Sequence, residues 1–193
     1  NPLYNTYIEI DTIKTKHYKI RDFSLINVTA NDTLQFRTEF KGGEKGNDFY
    51  NLNAYHTINK ENKNVVGFNK SEMMFKDYLW YINEKENDKN KITFDKDLKN
   101  FNFDDIIISH QNQSLQLNGL VNGTAEKDIQ LKFNEVNLSK ITPDLDNFKF
   151  EGFVNGDVYV KQKNAIYQPT AQLEIRELLV NDNELGNLKL DII

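Results

Sequence analysis

The stretch that decides the fold is Phe148-Lys-Phe-Glu-Gly-Phe-Val-Asn-Gly-Asp-Val-Tyr-Val160. Apolar residues recur at every second position, with two glycines among them: Phe148, Phe150, Gly152, Val154, Gly156, Val158 and Val160. Successive side chains of a β-strand point to opposite faces of a sheet, so this period of two is typical of a strand. The stretch therefore predicts a long strand with one apolar face and one solvated face.

Part of this stretch echoes an earlier one. Phe150-Glu-Gly-Phe-Val-Asn-Gly156 repeats the pattern of Leu117-Asn-Gly-Leu-Val-Asn-Gly123, which begins 33 residues earlier. A repeat at this scale predicts similar strand units laid side by side, each of which needs its neighbours to bury its apolar face.

The same alternation extends along most of the chain. Further strands are predicted around 7–10, 17–23, 33–40, 50–58, 114–121, 128–133, 171–175 and 188–192. Polar segments 41–47, 59–64 and 83–91 separate apolar runs and are predicted to be solvated loop tips. Segment 65–82 is apolar on both faces and is predicted to be more fully buried. Helix signals are slight, with at most one turn expected in Leu138-Ser-Lys-Ile-Thr-Pro143, where Pro143 would end it.

Composition narrows the functional classes. The chain has 193 residues, 38% of them hydrophobic, with 13 Phe, 9 Tyr and no Cys. The net charge of −5 argues against nucleic-acid binding, and the lack of cysteine rules out disulfides and thiolate chemistry. No apolar run approaches the ~20 residues of a membrane-spanning helix. Because the chain stops within an alternating pattern, we expect it to be a fragment of a longer protein.

Catalytic and metal-binding signals are weak. The histidines His17, His56 and His110 are not within ligand spacing of one another, and structural roles are expected. Three carboxylate pairs are considered as acid/base pairs or calcium ligands: Asp95 with Asp97, Asp104 with Asp105, and Asp144 with Asp146. Asp144-Leu-Asp-Asn147 lacks the glycine of a calcium loop, and closeness in sequence does not give the separation that glycoside hydrolysis requires. Trp80 and Tyr81 are interpreted as buried aromatic residues rather than a sugar-stacking platform. We therefore predict no catalytic residues, no metal and no cofactor.

The apolar stripe is the candidate site. If the strands pair in order, their apolar positions align into one surface, which is either a sealed core or an open trough that holds acyl chains. The groove candidates are Leu115, Leu117, Ile129, Leu131, Phe133, Phe148, Phe150, Val154, Val158, Leu173 and Ile175.

The C-terminal part resembles a known family. Leu115-Gln-Leu-Asn-Gly-Leu-Val121, Asp128 to Leu138 and Phe150 to Val160 are similar to the AsmA/TamB superfamily, and more narrowly to TamB-like proteins of Bacteroidetes. The resemblance is best over 105–193, plausible over 47–104 and weak before that.

The dominant alternation predicts an all-β, antiparallel fold with at most one or two short helical turns. The resemblance implies that the sheet is curled lengthwise into a "β-taco" with an apolar concave face. It implies that the parent protein is anchored in the inner membrane, extends across the periplasm and contacts a BamA-family (TamA-like) outer-membrane protein. The implied function is phospholipid transfer or outer-membrane protein assembly.

Three segments are expected within one continuous domain: less regular strands over 1–46, a hairpin segment over 47–104 and a repeat-like segment over 105–193. Two other functions stay open. One is a structural scaffold with a sealed core that binds a partner through its edge strands. The other is a carbohydrate-binding or hydrolytic β-domain, which would need a polar, aromatic-lined cleft with converging carboxylates.

Overall fold

The computed structural model describes residues 5–16, 18–43, 47–142, 148–164 and 166–193. Its strands are β1 Thr6–Lys14, β2 Lys19–Ala30, β3 Thr33–Gly42, β4 Asp48–Ile58, β5 Asn64–Phe68, β6 Ser71–Phe75, β7 Tyr78–Ile82, β8 Lys91–Phe94, β9 Asn100–His110, β10 Gln113–Asn122, β11 Glu126–Asn137, β12 Phe150–Lys163, β13 Ile166–Val180 and β14 Asn183–Ile192. One helical turn, α1, spans Leu138–Ile141. The predicted all-β fold with at most one or two helical turns is confirmed.

All 14 strands belong to one antiparallel sheet in the order β1-β2-β3-β4-β5-β8-β9-β10-β11-β12-β13-β14. Between β4 and β9 the sheet divides into two short lanes. β5 and β8 form one lane, whereas β6 and β7 form the other and also join β4 to β9. The sheet therefore continues through 60–95, where the alternation in the sequence is broken. It also runs through both expected segment boundaries, the second of which falls inside β9.

Bulges bend the long strands. Acidic residues with positive φ sit at register shifts in β2, β9, β11 and β13, namely Asp22, Asp105, Glu135 and Glu177. A bulge inserts an extra residue, which bends its strand and increases the local twist. Three of these carboxylates form an ion pair with a cation from another element: Asp22 with Lys41 of the adjacent strand β3, Asp105 with Lys89 of the loop before β8, and Glu135 with Arg176 of β13, two strands away.

Glycine permits the bend in the repeated phrase. Gly119 and Gly152, which correspond in the repeat, have φ of 126° and 124°. A Cβ on Gly119 would lie 2.0 Å from the main-chain oxygen of Asp128. The second glycines of the repeat differ, because Gly123 lies in the turn after β10, whereas Gly156 lies inside β12. The two copies of the repeat therefore share the same backbone bend at their first glycine, but their second glycines occupy different positions in the fold.

The apolar face is concave. Trp80 of β7 packs in one cluster with Val136 of β11 and Val154 of β12. In a flat sheet β7 and β11 would stand about 14 Å apart, since they are separated by three strand spacings of ~4.8 Å. The contact therefore requires the sheet to curl toward this face. Two lysines also connect the β6–β7 turn to α1 across this face. Lys76 Nζ donates to Thr142 O (2.7 Å), and Lys140 Nζ donates to Lys76 O (2.9 Å).

One of the predicted loop tips is solvated only in its middle. Residues 84–89 of the predicted tip 83–91 are exposed, whereas Asn83 and Asn90 near its ends are buried where the two short lanes meet. Asn90 Nδ2 donates to the side-chain oxygens of Asn83 (3.1 Å) and Asn87 (3.2 Å), and its Oδ1 accepts from the Ile107 N–H (2.7 Å). Asparagine is needed here because a lane junction leaves main-chain groups without a strand partner.

The fully buried core is thin. Among the described residues, the buried hydrophobic side chains are Val65, Trp80, Ile82, Val136, Val154, Ala171 and Leu178. The accessible surface is 12,706 Å², whereas a compact monomer of 22.6 kDa exposes about 9,500 Å². Much of the apolar face is therefore left partly exposed.

Candidate functional site

Two apolar rows cross the C-terminal half of the concave face. Directly paired residues point to the same side of a sheet, so the register defines each row. The first row is Ile106, Leu117, Leu131, Val158, Ala171 and Ile192. The second row is Ile108, Leu115, Phe133, Gly156, Leu173 and Leu190. Each row spans six strands, or about 24 Å at ~4.8 Å per strand.

The structure places most of the predicted groove residues in or beside these rows. Ile129 pairs with Val160 and Gly119 in an adjacent row, and Ile175 pairs with Val154 and Leu188. Leu115, Leu117, Ile129, Leu131, Phe133, Phe150, Val158, Leu173 and Ile175 are half-buried, with part of each side chain reaching solvent.

Two candidates differ from the rest. Phe148 precedes β12, is 55% exposed and stacks on Phe150 with ring centroids 6.1 Å apart. Val154 is only 3% exposed, because it lies in a buried cluster with Trp80 and Val136. The partly buried side chains packed against this cluster include Leu138 and Ile141 of α1 and the groove candidates Phe133, Leu173 and Ile175. We call the cluster of Trp80, Val136 and Val154, with Leu138 and Ile141 of α1, the sealed sector. Val154 belongs to it and offers no surface to a ligand in this conformation.

Sequence reasoning missed part of the rows. Ile106 and Ile108 face the concave side, whereas Ile107 stands opposite Gln116, which faces away. The run of three isoleucines hides the period of two, and the bulge at Asp105 shifts it between Phe103 and Ile106. No local signal could have revealed this shift. The predicted strand list likewise omitted β9.

The convex face is polar and cross-linked by hydrogen bonds. Asp105 accepts from Lys89 Nζ (2.5 Å) and Gln116 Nε2 (2.7 Å). The Lys89 hydrogen bond, together with Gln116, lowers the pKa of Asp105. Gln130 Nε2 donates to Asp157 and to the Tyr159 hydroxyl, both at 2.8 Å. The charged groups thus lie on the face opposite the rows.

The histidines occupy structural positions where they are described. His56 Nε2 lies 3.0 Å from Asn64 Oδ1, and His110 Nδ1 lies 2.8 Å from Leu79 O while its ring stacks on Tyr78. His17 lies outside the described residues. Trp80 points into the sealed sector, whereas Tyr81 is its neighbour on the strand and points to the other face, beneath Lys70. The two rings therefore do not form one platform.

The carboxylate pairs serve local structure. Asp95 accepts from the Lys99 N–H (2.9 Å), which lowers its pKa and fixes the turn before β9. Asp104 lies 3.5 Å from Lys91 Nζ. Asp144, Asp146 and Pro143 lie outside the described residues. In the part of the chain that the structure describes, no three His, Asp or Glu side chains cluster as metal ligands.

Comparison with known proteins gives no match from which a function of the site could be inferred, so the site is interpreted from its geometry. No protein family matches the chain, and neither a curated protein nor a solved structure does so. Among the described residues no helix combines the length and the apolar character that crossing a membrane requires.

Proposed function

We propose that this chain is a segment of a bridge-like protein whose concave face holds the acyl chains of phospholipids, without catalysis. The observation that carries the proposal is the pair of apolar rows, which cross six strands and, apart from the buried Ala171, remain partly or largely exposed. A continuous apolar surface in water is costly, and surfaces of this kind mark binding sites.

The chemistry of the rows suits hydrocarbon. Their side chains are aliphatic or phenyl groups, which offer no directional hydrogen bond and so let a ligand slide. An acyl chain spans half of the ~30 Å hydrocarbon core of a bilayer, or about 15 Å. A row of about 24 Å is therefore long enough to hold one.

The family resemblance extends the proposal to the setting. It supports a parent protein that is anchored in the inner membrane and spans the periplasm. There the groove would carry lipid between the two membranes, or support the assembly of outer-membrane proteins, with a BamA-family (TamA-like) partner at the outer membrane.

Site-specific photocrosslinking tests the lipid contact. Benzoylphenylalanine is introduced at Leu131, on the concave face, and in a second variant at Lys132, the next residue of β11, on the convex face. Each purified variant is illuminated with vesicles of phosphatidylethanolamine and phosphatidylglycerol. A lipid adduct at 131 but not at 132 is expected. Equal labelling at both positions, or none at either, would overturn the proposal.

A charge substitution separates the groove from the core. Leu131→Asp places a carboxylate in a half-open row, where water can still reach it, so the chain should stay folded and lose lipid. Val154→Asp buries the same charge in the sealed sector and should unfold the domain, because an unpaired buried carboxylate costs several kcal/mol. Unfolding of both variants would favour a sealed core along the whole face.

A structural scaffold is the second candidate. The open edges favour it, because in the described part of the chain β1 and β14 each pair on one side only. Such edges accept a strand from another protein. This function is favoured if the photocrosslinking variants give no lipid adduct while the chain captures a protein through β1 or β14.

A further inference from the structure

Two further rows lie beyond the first row on the concave face, toward the turn that joins β10 to β11. Both cross β9 to β13, and they are displaced from the first row by two and four residues along β10 to β13. The third row is Phe103, Gly119, Ile129, Val160 and Pro169. The fourth row is Phe101, Val121, Lys127, Gln162 and Tyr167. The apolar face therefore gives way to polar side chains in its fourth row.

Lys127 is the only charged side chain in the four rows. Its Nζ donates to the Tyr167 hydroxyl (2.8 Å) and lies 5.0 Å from the centre of that ring. In the part of the chain that the structure describes, no carboxylate pairs with this ammonium. The Tyr167 hydroxyl accepts from Lys127 and keeps its own proton, which it can donate. The two side chains together therefore offer a charge and several donors to an anion such as a phosphate.

Gln162 lies between Lys127 and Tyr167 in the fourth row and is only 5% exposed. β11 and β13 stand two strand spacings apart, or ~9.6 Å, so the contact between Lys127 and Tyr167 passes over Gln162. Gln162 Nε2 donates to Thr124 O (3.0 Å), whereas its Oε1 is buried and has no hydrogen-bond partner. A buried acceptor without a donor is rare and costs free energy. A ligand that brings a donor to this row would remove that cost.

We propose that Lys127, Tyr167 and Gln162 bind the headgroup of a phospholipid whose acyl chains lie in the apolar rows. The phosphate accepts from the Lys127 ammonium and the Tyr167 hydroxyl. Lys127 turns toward the phosphate and uncovers Gln162 Oε1, which then accepts from a second group of the headgroup. The third row is two residues away along each strand, or ~7 Å, so acyl chains attached to the same glycerol enter it directly.

The unpartnered oxygen of Gln162 decides which headgroup is preferred. Ethanolamine and glycerol headgroups have an N–H or O–H donor beyond the phosphate, whereas the quaternary ammonium of choline has none. Phosphatidylethanolamine should therefore bind about three- to tenfold more tightly than phosphatidylcholine with the same acyl chains, which is the range expected of one hydrogen bond. This preference rests on the proposed lipid groove and adds a headgroup site to it.

Competition between two lipids tests the site. The chain with benzoylphenylalanine at Leu131 is illuminated with vesicles of equal parts phosphatidylethanolamine and phosphatidylcholine, and mass spectrometry measures the two adducts. The ethanolamine adduct should exceed the choline adduct about three- to tenfold, and Gln162→Met should make the two equal.

A lysine variant tests the phosphate contact in the same assay. Lys127→Met keeps the aliphatic stem and should lower both adducts about tenfold. The matched control is Lys161→Met, which removes the same charge from the convex face of β12, beside Gln162, and should lower neither adduct. Equal adducts in the parent chain, or equal effects of the two lysine variants, would overturn the inference.

Soluble headgroups separate this inference from the proposed function. Glycerophosphoethanolamine carries the phosphate and the ammonium without acyl chains, and glycerophosphocholine is its control. The side-chain amide signal of Gln162 in a proton–nitrogen NMR spectrum, assigned from its loss in Gln162→Met, should shift more with the first compound than with the second. A shift in a chain that gives no lipid adduct would refute the acyl groove and retain the headgroup site. Lipid adducts without a headgroup preference, in a chain whose Gln162 signal does not shift, would retain the groove and refute the headgroup site.

Discussion

Shortening Val154 to alanine tests whether the concave face is divided into a sealed sector and an open groove. Val154 is 3% exposed and packs with Trp80 and Val136. Removing two methyl groups costs about 1.6 kcal/mol in transfer free energy at ~0.8 kcal/mol each. Strands held by hydrogen bonds on both sides collapse poorly around the space, and the cavity adds to this cost. We expect Val154→Ala to lower the free energy of unfolding by about 2–3 kcal/mol.

The assay is urea unfolding followed by tryptophan fluorescence. Trp80 is the only tryptophan, so its emission reports directly on the sealed sector. Val158→Ala is the matched control, because Val158 lies on the same strand and face, four residues further on, but is half-buried. Its loss should be about 1 kcal/mol or less. Equal losses in the two variants would mean that the two positions are equally enclosed, and the division of the face would be wrong.

Three further changes test the local structure by thermal or urea denaturation. Gly119→Ala should lower the free energy of unfolding by about 3 kcal/mol or more, because φ is positive and the new Cβ would clash with a main-chain oxygen. Gly123→Ala has open space around it and should lower it by about 1 kcal/mol. Similar losses in the two variants would contradict the role of Gly119 in the bend. Asn90→Leu should destabilise by about 2–4 kcal/mol, since it leaves buried partners without hydrogen bonds, and a neutral effect would contradict the role of the lane junction. Asp105 has a lowered pKa because of Lys89, so its stabilisation is present above the unfolded pKa of about 3.9 and is lost as pH falls. The free energy of unfolding of the wild type should therefore exceed that of Asp105→Asn by less than about 1 kcal/mol at pH 7. The difference should shrink as the pH falls through the lowered pKa of Asp105; a difference that does not change with pH would exclude the ion pair.

The sequence by itself determined the strands and their faces. A period of two in β3, β4, β10, β11 and β12 states which side chains share a side, because this depends only on the geometry of an extended backbone. The single helical turn was also predictable, from Leu138 to Ile141. These features are local, and each of these five strands carries its own signal.

Tertiary structure decided what local patterns cannot encode. The alternation does not reveal that the side chains of β9 switch faces at Asp105. A bulge is defined by two residues standing opposite one on the partner strand, so it cannot be read from one strand alone. Nor could the alternation tell that Asn90 would be buried, since its burial depends on two lanes that meet between β4 and β9. Val154 and Val158 look alike in the sequence, yet one is sealed and the other half-open. The difference arises because the curl of the sheet brings Trp80 and α1 over Val154 but not over Val158, and curvature is a property of many paired strands together.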